Sequence, residues 1–239
     1  GIGGTIAKVL ADAEANLVIV SRTIEDLEKL KAEIMEKHSI NVIPMVCDLE
    51  NSENIPALIE SAVAKLGGLD IVINNAAVNY RETAFNVDLQ HWDKIMNINL
   101  KGYFLVAREA ARFMIANKKG GTIVNIGSEL SFVGVSEGQV AYSTSKAGIN
   151  QLGRVLAAEW ADKGIRVNTV IPGFTETDLV TELLAKPGYK ENFERVIPLH
   201  RLAKPENVAN AVLFMASDMS AFTTGETLLV DGGYTNIRC

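Results

Sequence analysis

Six short stretches of this chain are apolar on both sides: "LVIV" (17–20), "NVIPMVC" (41–47), "LDIVIN" (69–74), "GTIVNIGS" (121–128), "IRVNTVIP" (165–172) and "ETLLVDGG" (226–233). A strand with one wet face alternates apolar and polar residues, and these do not. They are therefore expected to be buried on both faces, which requires a parallel sheet covered by helices above and below. The segments between them supply the helices. "EDLEKLKAEIMEKH" (25–38) places Leu27, Leu30, Ile34 and Met35 at helical spacing, "NIPALIESAVAKLG" (54–67) does likewise, and residues 89–119 read as one long helix with a bend. A further helix is expected at 205–217. The fold class is α/β, a doubly wound parallel sheet, and with no linker, repeat or low-complexity tract residues 1–239 read as a single domain.

Composition removes several functions. A net charge of −6, a pI near 5.2 and no basic run argue against a nucleic-acid surface. The apolar runs are far shorter than the roughly 20 residues of a membrane span, and the N-terminus has no basic-then-apolar leader. Cys47 and Cys239 make no disulfide framework, and His38, His91 and His200 are scattered, so no metal site is expected. A reducing, cytoplasmic location is the default.

Chemistry first shows in "AYSTSKAG" (141–148). On a helix, Tyr142 and Lys146 lie one turn apart and share a face. A cation beside a phenol lowers the phenol's pKa from its usual ~10 toward the range of a working acid/base. The same pair could be an ordinary solvated helix face. The opening "GIGG" raises a different question, because a helix follows these glycines directly and no strand precedes them. A doubly wound sheet begins with a strand feeding such a turn. The first strand is therefore expected to be missing, with the sequence starting inside the motif.

Taken together, "GIG" (1–3), "CDL" (47–49), "NNAA" (74–77), "NINLKG" (97–102), "NIGS" (125–128), "YSTSK" (142–146), "PGFTET" (172–177) and "VDGG" (230–233) resemble, in order and spacing, the short-chain dehydrogenase/reductase family. The resemblance spans Gly1 to Gly233. It implies a Rossmann sheet of about seven parallel strands and hydride transfer between a nicotinamide and an alcohol or carbonyl. It assigns Tyr142 as acid/base, Lys146 as the cation that lowers the phenol's pKa and holds the nicotinamide ribose, and Ser128 as the substrate-oxygen donor. Asn99 would hold a water that links Lys146 to solvent. For the cofactor it implies Gly1, Ile2 and Gly3 at the pyrophosphate, Asp48 and Leu49 at the adenine, and Asn75, Ala76 and Ala77 along the central strand. Pro172, Gly173, Thr175 and Thr177 would meet the carboxamide. Ser21 and Arg22 stand where enzymes selective for NAD carry an acid, so NADP is the expected cofactor.

One departure stands out. Ser128 lies one residue farther from the tyrosine than the family's usual spacing, and Glu129 occupies the usual position. A one-residue insertion in "ELSFVGVSEGQV" accounts for this, with Ser131 as the fallback serine. Residues 178–200, with Leu183, Leu184, Tyr189 and Phe193, are expected to form a substrate lid. The substrate class is expected to be a sugar, sugar acid or polyol, for which Arg81 could clamp a carboxylate; a 3-oxoacyl thioester on a carrier protein is the alternative. A cofactor-binding module without turnover is the reading outside the enzymes. Relatives assemble, so a homotetramer or homodimer is implied, and Ile149, Leu152, Leu156 and Trp160 form a helix stripe that serves either an interface or the chain's own core.

Overall fold

All six apolar runs are strands in the computed structural model, which describes residues 1–135, 138–177 and 188–236. They are β1 (Leu17–Ser21), β2 (Val42–Val46), β3 (Ile71–Asn74), β4 (Gly121–Ile126), β5 (Ile165–Pro172) and β6 (Thr227–Val230). Every ladder is parallel. The strands form two sheets, β1–β2 and β3–β4–β5–β6, and β1 does not pair with β3. The break between the sheets lies between β1 and β3, the two strands that the strand expected before Gly1 would join.

Burial on both faces holds for the middle of the sheet and fails at its margins. β4 and β5 are almost wholly buried, whereas β2 and β6 are mostly half-buried, with Val46 exposed. A terminal strand has a ladder on one side only, so apolar content overstates its cover. Within β4 the alternation feeds two separate cores: Ile123 packs with one layer, Val124 and Ile126 with the other.

One layer carries α1 (Ile2–Asp12), α2 (Ile24–Met35) and a helix at Pro205–Ala216, here α8, packed through Ile6, Leu10, Leu27, Val208 and Val212. The other carries α3 (Ile55–Leu66), α5 (Tyr103–Ala116) and α6 (Val140–Trp160), packed through Ile55, Ala107, Met114 and Leu156. The stripe on α6 belongs to this second side: Ile149 and Leu156 are buried, and Leu152 and Trp160 pack against the same core. The stripe therefore serves the chain's own interior.

The long helix expected over 89–119 is α4 (Leu89–Met96) running into α5 through a π turn, Asn97–Gly102. The wider turn rotates the residues of "NINLKG", and Asn99 and Gly102 are buried. A short helix, α7 (Tyr189–Val196), precedes α8. Among the described residues no helix is long and apolar enough to cross a membrane.

Candidate active site

Parallel strands bring all their C-terminal ends to one edge, and in open α/β sheets that edge is where ligands bind. Ser128 sits two residues past β4 in extended backbone and begins a single 3-10 turn, Glu129–Ser131. Its Oγ accepts the Leu130 N–H at 3.3 Å and donates to Glu129 Oε2 at 2.9 Å. Tyr142 and Lys146 occupy the first turns of α6. The Lys146 ammonium is 1 % exposed and donates to the Ile126 carbonyl at 2.8 Å. It lies 5.6 Å from the Tyr142 ring centroid and 5.3 Å from that of the fully buried Tyr103, within cation–π range of both.

Burial dominates the electrostatics, and here the expectation of an acidified phenol needs correction. Removal from water pushes the Tyr142 phenol up to about 12, the Glu129 carboxylate raises it further, and hydrogen bonding with Ser128 opposes both. Lys146 is not among the causes. The same desolvation pulls Lys146 down to about 7, against an upward pull from Glu129. Near neutral pH the buried amine is therefore only part-protonated, and a fractional charge does little to hold a neighbour's proton affinity low. Burial also raises Glu129.

Asn99 works as a clamp. Its Oδ1 accepts the Val78 N–H at 2.9 Å, and its Nδ2 donates to the Val78 carbonyl at 2.9 Å and to Ser145 Oγ at 3.2 Å. Ser145 in turn donates to the Tyr142 carbonyl at 2.7 Å. Both amide hydrogens are thus given to the chain, and a water at this side chain could only donate to Oδ1. Ser131 donates to the Ser128 carbonyl at 2.6 Å, so it props the turn from behind.

The residues expected at a cofactor line the same edge. No side chain caps α1, and its first turn has no acidic residue, so its leading N–H groups suit an anion. A Cβ on Gly3 would lie 2.6 Å from Asn75 Nδ2; glycine there lets the helix start against the end of β3. Ile2 is half-buried beside it, and Ala76 and Ala77 are exposed beyond Asn75. Ser21 exchanges hydrogen bonds with the Thr23 backbone, while Arg22 is exposed past β1. Asp48 Oδ1 accepts the Glu50 N–H in a turn, leaving its second oxygen for another donor, and Leu49 packs toward Gly102. After β5, buried Pro172 leads into Gly173, whose N–H is held by Val230. Thr175 is 5 % exposed and turns its hydroxyl back to the Gly173 carbonyl, whereas Thr177 is half-buried. The uncapped helix start, the close-approach glycine and the open edge fit a dinucleotide.

A family model described as enoyl-(acyl carrier protein) reductase matches residues 1–235. The chain is 36% identical over 233 residues to a 3-oxoacyl-[acyl-carrier-protein] reductase of Aquifex aeolicus, covering 98% of this chain and 92% of that protein. It is 34% identical over 239 residues to a 2-dehydro-3-deoxy-D-gluconate 5-dehydrogenase of Escherichia coli, covering 98% and 91%. Among solved structures, a gluconate 5-dehydrogenase of Burkholderia cenocepacia in complex with NADP and tartrate superimposes with a TM-score of 0.93 at 32% identity, covering 100% of this chain and 92% of that one. The chain belongs to the short-chain dehydrogenase/reductase family.

Several features of this short-chain dehydrogenase/reductase were beyond the sequence reading. Tyr103, Ser145 and Ile126 build the cage around Lys146 and Tyr142, and of these only Ser145 advertised itself, inside "YSTSK". Glu82 ties the loop after β3 to the far end of the Ser128 loop: its N–H donates to the Gly138 carbonyl, and Asn79 donates to Gln139 Oε1. The insertion proposed in that loop falls partly on residues 136 and 137, outside the described residues. Arg81 is exposed. Leu183, Leu184 and the Tyr189 side chain lie outside the described residues, and Phe193 packs on Phe174 with ring centroids 4.4 Å apart. A cavity of about 540 Å³ opens between the end of α7 and β6, lined by Phe174, Leu199, Arg201, Asn207 and Gly232. None of Ser128, Tyr142 and Lys146 lines it.

Proposed function

We propose that the chain is an NADP(H)-dependent oxidoreductase that interconverts a secondary alcohol and a ketone, with a sugar, sugar acid or polyol as substrate. The observation that carries this reading is the grouping of buried Ser128 and Lys146 with half-buried Tyr142, the amine 5.6 Å from the phenol ring and the serine hydrogen-bonded with the phenol. The nicotinamide, when bound, supplies or accepts the hydride. In the reducing direction Tyr142 gives its phenolic proton to the oxygen that becomes negative as the carbonyl carbon is reduced; in the oxidising direction the phenolate takes that proton back. Ser128 positions the same oxygen. Lys146 holds the cofactor's ribose and, titrating near 7, exchanges its proton with solvent at working pH. Asn99 fixes the helix that carries both.

Arg22 and Ser21 favour a 2′-phosphate over a bare hydroxyl, because no carboxylate stands at the end of β1 to repel it. The two gluconate-type relatives support a polyhydroxylated substrate. The Aquifex relative supports a second reading, reduction of a 3-oxoacyl group on a carrier protein. Against that reading, an acidic carrier calls for a basic surface, and this chain has a net charge of −6. A cofactor-binding module without turnover would have no need of a phenol kept beside a buried amine. The reading takes 1–239 as one domain with 178–200 as its lid, working in the cytoplasm as a homotetramer or homodimer.

Incubation with NADPH and a panel of ketogluconates, ketoses and acetoacetyl thioesters, followed at the nicotinamide absorbance, tests the reading. Turnover of the sugar-derived ketones is expected, and Tyr142→Phe, folded and still binding cofactor, should lose it by at least about 10²-fold, the lower end of what a positioned acid/base contributes. Undiminished turnover in that variant refutes the mechanism.

A further inference from the structure

Glu129 has no role in the chemistry above, yet it lies inside the site. It is 8 % exposed, its Oε2 holds the only hydrogen of Ser128 at 2.9 Å, and its charge is felt by Tyr142 and by Lys146. The groups facing it are Ser128 on its own turn, Tyr142 and Lys146 on α6, and Asp231 just past β6. A hydroxyl has one proton to give. Ser128 Oγ already accepts the Leu130 N–H and pairs with the Tyr142 phenol, and while Glu129 is ionised the serine proton is directed to the carboxylate. Toward a substrate oxygen such a serine offers only lone pairs, which repel the negative charge that develops there.

A protonated Glu129 reverses this. Its own O–H can donate to Ser128 Oγ, and the serine hydrogen turns to the substrate. Two donors, Tyr142 and Ser128, then meet the developing oxyanion in place of one. We propose that Glu129 is a positioning residue whose proton sets the direction of the Ser128 hydrogen bond, so that carbonyl reduction runs fastest with Glu129 protonated. The proposal rests on the enzymatic reading above. Burial raises the Glu129 carboxyl, with Asp231 adding to the rise and Ser128 and Lys146 opposing it, so the protonated form extends above the ordinary carboxylate range.

The test is the pH profile of kcat for ketone reduction by the intact protein with saturating NADPH. In the wild type, kcat should fall as pH rises through the Glu129 ionisation. The fall should end on a plateau about 10²-fold lower, the usual effect of losing one oxyanion donor. Glu129→Gln and Glu129→Met cannot ionise, and in both that fall should vanish while the Lys146 and Tyr142 limbs remain. A Glu129 with a merely structural role would lower kcat at every pH and leave the profile's shape alone. Persistence of the same fall in either variant overturns the proposal.

Infrared difference spectra supply an arm that needs no turnover. A protonated-carboxyl band should be present at the pH of maximal reduction, absent from Glu129→Gln, and shifted in frequency by Ser128→Ala. Absence of the band from the wild type at that pH overturns the proposal whether or not the variants fold, and so does a band that folded Ser128→Ala leaves unmoved. If the wild type reduces no carbonyl at all, the enzymatic reading has failed, and the infrared arm alone decides where the Glu129 proton points.

Discussion

Lys146 should make the protein less stable in mild acid than in mild base, and Lys146→Met should erase that difference. The amine is buried, and burial takes its pKa from 10.5 to about 7. Each unit of displacement is worth about 1.4 kcal/mol, so carrying the charge inside costs on the order of 5 kcal/mol. The sign follows from counting protons. Between the folded and unfolded pKa values the unfolded chain holds a proton that the folded chain has released, so stability rises with pH across that window. At about pH 6 both states are charged and the whole cost is felt; at about pH 9 roughly 2 kcal/mol remains, leaving a gain of roughly 3 kcal/mol between them. Methionine fills similar space without the charge. It abandons the hydrogen bond to Ile126, which costs about 1–3 kcal/mol at every pH. The variant should therefore exceed the wild type in stability by a few kcal/mol near pH 6 and approach parity near pH 9. Urea unfolding at both pH values, at one fixed protein concentration so that assembly does not shift the midpoint, measures it. Parallel pH–stability curves for the two proteins would show that the amine is hydrated in the folded state and that the reasoning about the cage is wrong.

Two further perturbations probe other links. Gly138 has a φ of 69°, and a Cβ there would sit 2.8 Å from the Glu82 backbone. Gly138→Ala should cost roughly 1–3 kcal/mol in chemical denaturation and loosen the pin between the two loops, raising KM; unchanged stability would mean that the loops are not fastened there. Arg22→Glu should invert the cofactor preference, weakening NADPH by tenfold or more, about 1.4 kcal/mol, while leaving NADH binding nearly intact. Equal weakening of both cofactors in a fluorescence titration would remove Arg22 from the ribose end of the site.

The strands were easy to read because burial on two faces leaves an unbroken apolar run, which few other structures demand; "IRVNTVIP" became β5 with the same limits, Ile165–Pro172. The helices were legible through their spacing. The π turn at Asn97–Gly102 was not, because a one-residue slip of the hydrogen-bond ladder is decided by what packs against the helix and not by its own residues. The exposure of β2 and β6 was hidden for a similar reason: an apolar run says what a strand contains, and its neighbours say what covers it.

The candidate site divides along the same line. The order of its motifs along the chain, and the helical spacing of Tyr142 and Lys146, followed from the sequence, since one turn of helix fixes which side chains share a face. The spacing of Ser128 from Tyr142 marked Glu129 as out of place without saying what it touches. Its contact with Ser128, the cage of Tyr103 and Ile126 around Lys146, and the direction of every pKa in the site came only with tertiary structure. A local pattern can bring a phenol and an amine together, but how much water surrounds them depends on segments distant in the chain, and here desolvation outweighs the charge of the neighbour.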